Sequence, residues 1–274
     1  MSRGLGDVYK RQLKELELYK NKKIGLIGWK MFTTQNEEPS ELFDLPYFIV
    51  DAVKNSLSTD TILTNAAQLL IGPKGIRTIN NANELAHYEY GANLASRCIL
   101  NAMNQLKIGM KESEIGAILS DEGQAHSVIT IAASGERFKK ANFYPTYKKI
   151  NFGEPISMTT GFKGGLSSRT GFLVNEEKEL PDNQKHYLTD LVIPYYKGVV
   201  SWLENISIGM SGNDFYKMID DNLPKANYNW HLNPGHYVAD EEWMASPFYK
   251  NSKVKISSGM IFQIDIIPSV EGLA

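Results

Sequence analysis

The chain is poor in cysteine and contains no long apolar run. Among its 274 residues the only cysteine is Cys98, which excludes an internal disulfide and a Cys-x-x-Cys metal site. Cys98 lies in an amphipathic helical pattern, so we expect a small buried hydrophobic residue rather than a nucleophile. No apolar run approaches the roughly 20 residues that span a membrane, and no apolar signal segment opens the sequence. These absences predict a cytoplasmic protein without a membrane partner.

An excess of charge of one sign is also missing. The 29 basic and 31 acidic residues are interspersed and leave a net charge of −2, which disfavours nucleic acid as a partner. Locally the balance differs, because the segment from Pro155 to Asn175 contains no Asp or Glu. This segment has the pattern of two short strands joined at Gly164-Gly165. The sequence therefore predicts an acid-free β-hairpin.

The two ends of the chain differ from the rest. Residues 1–12 match no element that follows and resemble translated adapter sequence, so we set them aside as an artefact or a disordered segment. Residues 13–80 have the pattern of a small α/β unit. Residues 260–270 are strand-like and no closing helix follows them. We therefore expect truncation at both ends, with a second domain over 81–274.

The clearest helix is predicted from residue 83 to residue 107. Asn81 and Glu84 give a capping-box start, and Gly109 follows the end. Apolar residues recur three and four apart, which predicts one continuous buried stripe. The members of this stripe are Leu85, Tyr88, Ala92, Ala95, Ile99, Ala102 and Leu106.

A tripeptide pattern recurs in the second half of the chain. Ile108-Gly109-Met110 and Ile208-Gly209-Met210 each follow a long helical segment, 83–107 and about 182–205, and each precedes a shorter amphipathic segment and strands. This shared order predicts a duplicated helix-turn-helix-strand unit. Pro194 lies inside the second long helix, where we expect a kink.

The last strand of the second copy has two different faces. Alternation places Met260, Phe262, Ile264 and Ile266 together on one apolar face. Asp265 therefore points away from that face, into the space that the sheet encloses.

Several features together resemble the creatinase, prolidase and aminopeptidase P family. They are Gly235-His236, Arg169-Thr170 after the hairpin, and the strand that runs from Gly259 to Asp265. The resemblance covers residues 83–270. It implies an α/β (α+β) pita-bread fold with two pseudo-symmetric helix/strand halves around a central site. Residues 13–80 would then be part of a small α/β N-terminal domain.

The resemblance also implies a set of site positions. Family peptidases hold two metal ions with two Asp from the first hairpin, one His, and two Glu from the closing strands. By resemblance, His236 corresponds to the His and Asp265 to the first Glu. The two Asp positions lie within 158–160 and 166–168, where this chain has no acid. The last Glu would lie beyond Ala274.

Hydroxyl groups replace the carboxylates at the hairpin positions. The side chains available there include Thr159, Thr160, Ser167 and Ser168. Hydroxyls coordinate a cation without neutralising its charge, and hard divalent ions need several anionic oxygens. We therefore predict no dinuclear metal site and no cofactor. A single divalent metal held by His236 and Asp265 stays open by family resemblance.

The remaining polar residues predict roles around His236. This residue is the candidate general base, and Asp265 is the candidate partner that orients its ring. Arg169 is a candidate clamp for an anion. The candidate substrate-binding residues are His231, Arg169, Ser168 and Thr160. For His236 and His231 a second interpretation stays open, in which each is a hydrogen-bonded histidine of the fold without a role in chemistry.

Two classes of function follow from this pattern. The first is a relative of the Xaa-Pro peptidases that has lost the dinuclear site and binds a peptide or a protein partner without catalysis. The second is a metal-independent hydrolase of a small C–N bond substrate, such as a peptide, amide or amidine, that uses His236 and Asp265. A mononuclear metal enzyme is a third hypothesis. A small-molecule ligand and a homodimer also stay open as partners.

Overall fold

The chain divides into two compact units, Met1–Thr78 and Ile79–Ala274. The computed structural model describes residues 5–28, 32, 39–71, 74–231, 233–240 and 245–271. The described part of the first unit contains α1 (Leu5–Glu15), β1 (Lys23–Leu26), α2 (Tyr47–Lys54) and β2 (Ile62–Asn65). Strands β1 and β2 pair in parallel. Helix α1 includes residues 5–12 of the segment that was set aside from the fold prediction, and residues 1–4 lie outside the described residues.

The second unit carries the duplicated pattern. Its helices are α3 (Ala82–Gln105), α4 (Glu112–Ile118), α5 (Glu136–Lys139), α6 (Ile193–Asn205), α7 (Gly212–Asn222) and α8 (Lys225–Tyr228). Its strands are β3 (Ile131–Ser134), β4 (Pro155–Phe162), β5 (Gly165–Phe172), β6 (His236–Tyr237) and β7 (Phe262–Gln263). Strands β3, β4 and β5 form an antiparallel sheet in that order, and β6 pairs antiparallel with β7. No helix in the described residues is long and apolar enough to cross a membrane.

Helix α3 begins at the predicted cap. The Asn81 side chain accepts hydrogen bonds from the backbone N–H groups of Asn83 at 2.9 Å and Glu84 at 3.1 Å. The Glu84 carboxylate accepts from the Asn81 N–H at 2.8 Å. This reciprocal arrangement satisfies backbone donors that a helix start leaves without partners. The capping box read from the sequence is confirmed.

The buried face of α3 differs in part from the predicted stripe. Leu85 is 47% exposed and Ala92 is also exposed. A Cβ on Gly91 would lie 2.1 Å from the carbonyl oxygen of Phe162, so α3 turns this side toward the hairpin. Cys98 is buried as expected, and burial raises the pKa of its thiol. The buried residues of α3 are Gly91, Leu94, Ala95, Cys98, Ile99 and Ala102.

The two Ile-Gly-Met turns have the same backbone geometry. Gly109 has φ 87° and Gly209 has φ 91°, both in the left-handed region that favours glycine. The Gly109 N–H donates to the Ile150 carbonyl at 2.8 Å, and the Gly209 N–H donates to the Ile256 carbonyl at 2.8 Å. The second unit is therefore built from two pseudo-symmetric helix/strand halves, as the sequence predicted.

Each half has an apolar core of its own. The first core contains Ile99, Ala102, Ile115, Leu119, Ala132, Ile150, Ile156 and Met158. The second contains Trp202, Phe215, Ile219, Leu223, Trp230, Phe248, Ile256 and Ile266. Phe262 and Ile264 also pack against the second core, which confirms the apolar face predicted for this strand. Burial of each such large side chain stabilises the fold by about 1.5–3 kcal/mol.

Regular structure in the second half is shorter than predicted. Of the strand-like residues 260–270, only Phe262–Gln263 pair as β7. The long helix expected from about 182 is interrupted, since a π-helical turn, Leu188–Val192, leads into α6. Pro194 is the second residue of α6. Proline has no backbone N–H to donate to the preceding turn, and the interruption of the helix by the π-helical turn lies directly before it.

Glu112 in α4 is a fully buried carboxylate of the first half. It is 0% exposed and accepts hydrogen bonds from the Ser134 N–H at 2.9 Å and the Thr146 hydroxyl at 2.7 Å. The Arg137 Nε also donates to it at 3.0 Å. In the second half Gly212 stands at the equivalent position, where a Cβ would come within 1.9 Å of a backbone oxygen. This buried ion pair joins α4 to the β3–α5 segment and serves the fold.

Candidate functional site

Two hydroxyl side chains face each other across the hairpin. Thr159 on β4 is directly opposite Ser168 on β5, and their hydroxyl oxygens are 2.7 Å apart. Thr159 is 7% exposed, whereas Ser168 is exposed. Because each hydroxyl can donate one hydrogen bond and also accept, the two groups satisfy one another. The acid-free hairpin thus carries a hydroxyl pair where the resemblance implies two carboxylates.

Close backbone contacts fix the position of the hairpin turn. A Cβ on Gly164 would lie 2.3 Å from the carbonyl oxygen of Ala239, and Gly164 also has φ 79°. A Cβ on Gly165 would lie 2.1 Å from the backbone nitrogen of Ala92. Only glycine permits both approaches. The turn therefore lies against the residues that follow β6, the strand of His236.

His236 is buried with one ring nitrogen fixed and the other free. The residue is 1% exposed, and its Nδ1 is 2.7 Å from the carbonyl oxygen of Tyr237. A carbonyl oxygen can only accept, so Nδ1 carries hydrogen and donates. In the neutral ring, Nε2 is then an acceptor. Within the described residues no hydrogen-bond partner reaches Nε2.

Asp265 lies opposite this free nitrogen. Its Oδ2 is 3.7 Å from His236 Nε2, which is longer than a hydrogen bond. The Asp265 side chain is 16% exposed. Burial raises the pKa of Asp265, and the facing His236 ring offsets part of this rise. The predicted pairing of a histidine with this acid is therefore present in space as two facing groups with a gap between them.

Tyr195 on α6 is a third polar group that the sequence prediction missed. Burial raises the pKa of its hydroxyl, the Arg169 guanidinium lowers it, and the Asp265 carboxylate raises it. Tyr195 is therefore within electrostatic reach of both charged residues. The internal repeat could have drawn attention to it, because the equivalent residue of the first half is Ala95. A large polar residue where the first half has alanine is the feature of the sequence that could have indicated a role for Tyr195.

Arg169 is exposed on β5. Its Nη1 donates to the carbonyl oxygen of Ser168 at 2.6 Å. No salt bridge to its guanidinium is found in the described part of the chain. An arginine in this state can bind a carboxylate through its fork of N–H groups. The structure thus brings His236, Asp265, Arg169 and Tyr195 into one polar neighbourhood.

The other two predicted binding residues lie elsewhere. Thr160 is fully buried, and its hydroxyl donates to the Leu119 carbonyl at 2.9 Å. Because strand residues alternate, it faces away from Thr159 and toward the helices. His231 is exposed, and its backbone N–H donates to the Ile267 carbonyl at 3.3 Å.

The donor atoms of this neighbourhood do not fit a pair of divalent ions. Thr159 and Ser168 bond to each other, and His236 and Asp265 supply one neutral nitrogen and one carboxylate. No cluster of three or more His, Cys, Asp or Glu suited to a metal is present in the residues that the structure describes. Two dications would repel each other with a single carboxylate to offset their charge.

A separate pocket lies between the end of β5 and the π-helical turn that precedes α6. It has a volume of about 210 Å³. Its lining residues are Phe172, Val174, Asn175, Glu176, Glu177, Leu180, Tyr187 and Leu188. None of the predicted site residues lines it, and His236 lies elsewhere.

A family profile matches the sequence of the chain, and solved structures resemble its fold. The profile of metallopeptidase family M24 matches residues 86–272. A Xaa-Pro dipeptidase from Bacillus anthracis has 20% identity and a TM-score of 0.68, over 98% of this chain and 72% of its own. The prolidase from Pyrococcus furiosus has 16% identity and a TM-score of 0.69, over 98% and 74%. An X-Pro aminopeptidase from Thermotoga maritima MSB8 has 17% identity and a TM-score of 0.64, over 94% and 68%.

No curated protein sequence matches the chain. At these identities the solved structures establish the fold, which is the pita-bread fold expected from the resemblance. The family profile spans most of the second unit, including both Ile-Gly-Met turns, the hairpin and the His236 strand. The duplicated fold and the matched residues together show that this chain belongs to metallopeptidase family M24.

Proposed function

We propose that this chain is a member of the Xaa-Pro peptidase family that binds peptides, or a protein partner, without metallopeptidase catalysis. One observation carries the proposal: the hydroxyls of Thr159 and Ser168 are hydrogen-bonded to each other at 2.7 Å, where the family resemblance implies metal-binding carboxylates. Two neutral groups that satisfy each other provide no negative charge for a dinuclear centre. The polar neighbourhood of His236, Asp265 and Arg169 is then a binding surface in the cytoplasm.

Peptides are the ligand class that the relatives favour. The similar structures are named as Xaa-Pro dipeptidase, prolidase and X-Pro aminopeptidase. The exposed guanidinium of Arg169 supports a ligand with a carboxylate. We propose a homodimer as the assembly state, which the molecular mass of the chain in solution would test.

Metal content, turnover and peptide binding of the same purified chain test the proposal together. Elemental analysis after exposure to excess Mn²⁺ and removal of free ion should find no bound pair of ions. The rate of hydrolysis of Gly-Pro and of Ala-Pro-Ala should equal the rate in buffer without protein. Calorimetry should detect saturable binding of these peptides. Two ions per chain, or hydrolysis that Mn²⁺ stimulates, would overturn the proposal.

A second candidate function is hydrolysis of a small C–N bond without metal. It is favoured by His236, whose Nδ1 donates to Tyr237 and whose Nε2 is left as an acceptor beside Asp265. A general base needs such a free nitrogen close to the group that it deprotonates. The test is amide and amidine hydrolysis in EDTA by the wild type, His236→Ala and the control His87→Ala. Activity that survives His236→Ala would eliminate this candidate.

A further inference from the structure

The pocket at the end of β5 has an apolar interior and an acidic mouth. Its polar lining residues, Asn175, Glu176 and Glu177, are all exposed to solvent. Its other lining residues are buried or partly buried, and they are Phe172, Val174, Leu180, Tyr187 and Leu188. The volume of about 210 Å³ is below the roughly 300–1,000 Å³ of sites for drug-sized ligands. The pocket therefore suits a small ligand or one head group of a larger ligand.

Phe172 and Tyr187 form an aromatic corner in this pocket. Their ring centroids are 4.9 Å apart, and their planes meet at 79°. Two nearly perpendicular rings place π-electron density on two sides of the same space, and the face of an aromatic ring attracts a cation. Tyr187 directly precedes the π-helical turn Leu188–Val192, and such turns are frequent at functional sites. The corner has the geometry of two walls of an aromatic cage for methylated ammonium groups.

The mouth of the pocket carries a negative charge that is not compensated by a neighbouring cation. Glu177 is exposed and forms no ion pair within the residues that the structure describes. Glu176 pairs with Lys178 at 2.9 Å, with side chains 56% and 74% exposed. The next cation along the chain, Lys185, pairs with Asp182 at 2.8 Å. The Glu177 carboxylate is thus left to attract a cationic ligand to the mouth.

Hydrogen bonds hold the segment that carries these acids in place. The Glu179 carboxylate accepts from the backbone N–H groups of Asn175 at 2.8 Å and Glu176 at 3.3 Å. The Leu180 N–H donates to the Glu177 carbonyl at 3.1 Å. The mouth is therefore ordered before a ligand arrives, which lowers the entropic cost of binding.

The chemistry of the interior decides which kind of cation fits. A primary ammonium group has three N–H donors, and burying them without acceptors costs free energy. Among the interior side chains only the Tyr187 hydroxyl can accept a hydrogen bond. A quaternary ammonium group has no N–H to satisfy, and its methyl groups can pack on Val174 and Leu180. Aromatic faces recognise this type of cation.

We propose that this pocket binds a quaternary ammonium head group, with the cation against the Phe172 and Tyr187 rings and the Glu177 carboxylate at the mouth. A small trimethylammonium compound and a trimethylated lysine side chain of a protein carry the same head group. The pocket is separate from His236 and Asp265. The inference therefore goes beyond the proposed function and does not depend on it.

The experiment follows the methyl resonances of Val174, Leu180 and Leu188 by NMR in the full chain. The probes are choline, its neutral isostere 3,3-dimethyl-1-butanol, and the primary amine ethanolamine. We expect choline to cause saturable shifts of these resonances. The isostere should bind about fivefold or more weakly because it lacks the cation–π attraction. Ethanolamine should also bind more weakly, because its N–H groups lose their hydration in an apolar interior.

Variants separate the aromatic contribution from the charge, and the chain offers a matched control for each. Tyr187→Leu should weaken choline binding about fivefold, and Glu177→Gln about threefold, as for an exposed ion pair. Phe48 forms a T-shaped pair with Tyr9 outside the pocket, with ring centroids 6.0 Å apart. Glu204 is exposed on α6. Phe48→Leu and Glu204→Gln should bind choline as the wild type does.

Three results would overturn the proposal. These are no saturable shift at about 100 mM choline, which is far above a millimolar Kd, equal binding of the neutral isostere, and equal binding of ethanolamine. Far-UV circular dichroism and thermal unfolding establish that Tyr187→Leu is folded, and the three probes on the wild type decide the proposal if it is not. Comparison of choline with a trimethyllysine peptide then distinguishes the two sources, since tighter binding of either one supports the site and identifies its class of ligand.

Discussion

Thr159 and Asp265 occupy equivalent positions in the two halves. Each lies nine residues after the isoleucine, Ile150 or Ile256, whose carbonyl accepts a hydrogen bond from the glycine of its Ile-Gly-Met turn. The first half thus has a hydroxyl where the second half has a carboxylate. Negative charge is present on one side of the pseudo-symmetric site and missing from the other. This asymmetry explains why the fold resembles a metallopeptidase more closely than the donor atoms do.

Restoring the missing charge is expected to create metal binding. The double variant Thr159→Asp/Ser168→Asp places two carboxylates beside each other, so it should lose stability without metal and regain it with Mn²⁺. A ligand at 100 times its Kd stabilises a fold by about 2.7 kcal/mol. Thermal unfolding with and without Mn²⁺ measures this gain, and Thr170→Asp adds an acid to the same strand as a control. A wild type that responds to Mn²⁺ as strongly as the double variant would contradict the expectation.

The buried carboxylate of Glu112 is expected to be essential to the first half. Glu112→Gln removes the charge that accepts from the Arg137 Nε at 3.0 Å and leaves that guanidinium without its partner. Loss of one member of a buried ion pair costs about 3–5 kcal/mol. Urea unfolding should show this loss, whereas Glu114→Gln on the exposed face of α4 should cost less than about 1 kcal/mol. Equal effects of the two substitutions would show that the pair is not buried in solution.

Glu154 provides a pH-dependent contribution to stability. Burial alone would raise the pKa of Glu154, but hydrogen bonds from Lys148 and Asn151 outweigh it, and the net shift is downward. A lowered pKa in the folded state stabilises the fold above the unfolded pKa of about 4.3. This stability is lost as the pH falls through the folded value.

Lys148→Met is expected to remove most of that contribution. Lys148 Nζ is 2.6 Å from Glu154, with side chains 26% and 22% exposed. The variant should be less stable than wild type by about 1 kcal/mol at pH 7, and the difference should shrink below pH 4 as Glu154 becomes protonated in both proteins. Lys149→Met, at an exposed neighbour, should have little effect. A difference that stays constant from pH 7 to pH 3 would refute the assignment.

The hairpin should tolerate a methyl group at one glycine and reject it at another. In Gly165→Ala the new Cβ would lie 2.1 Å from the Ala92 nitrogen of α3, so the helix or the strand has to move. Overpacking of this kind costs about 1–3 kcal/mol or more. Gly171→Ala on the same strand meets nothing within 4 Å. Chemical unfolding of the two variants gives the comparison, and equal stabilities would mean that β5 does not lie against α3 as described.

Much of the fold was predicted correctly from patterns among residues close together in the sequence. The cap at Asn81 and Glu84 depends on residues three apart, and the Ile-Gly-Met turns depend on a glycine in the left-handed region. These are short-range effects, so the sequence alone specified them. The apolar face of the strand through Phe262 and Ile264 was specified in the same way, because alternation along a strand is local.

Signals that depend on packing were less complete. The stripe of α3 was predicted from periodicity, yet Leu85 is exposed and Gly91 is buried. The contact of Gly91 with the Phe162 carbonyl, distant in sequence, sets the face that the helix buries. Likewise, Thr160 was predicted as a binding residue, and the register of the hairpin instead pairs Thr159 with Ser168 and turns Thr160 toward Leu119. A shift of one residue changes the face of a strand.

The sequence by itself determined the scaffold and the acid-free hairpin of this protein. Composition excluded an internal disulfide, the cap at Asn81 and Glu84 defined the start of α3, and the repeated turn defined the two halves. Only the tertiary structure decided that the two hydroxyls bond to each other, that His236 keeps an unpartnered nitrogen, and that Tyr195 lies near Asp265 and Arg169. The physical reason is that helices and turns follow from neighbouring residues, whereas a site depends on distances of a few ångströms between segments far apart in the chain.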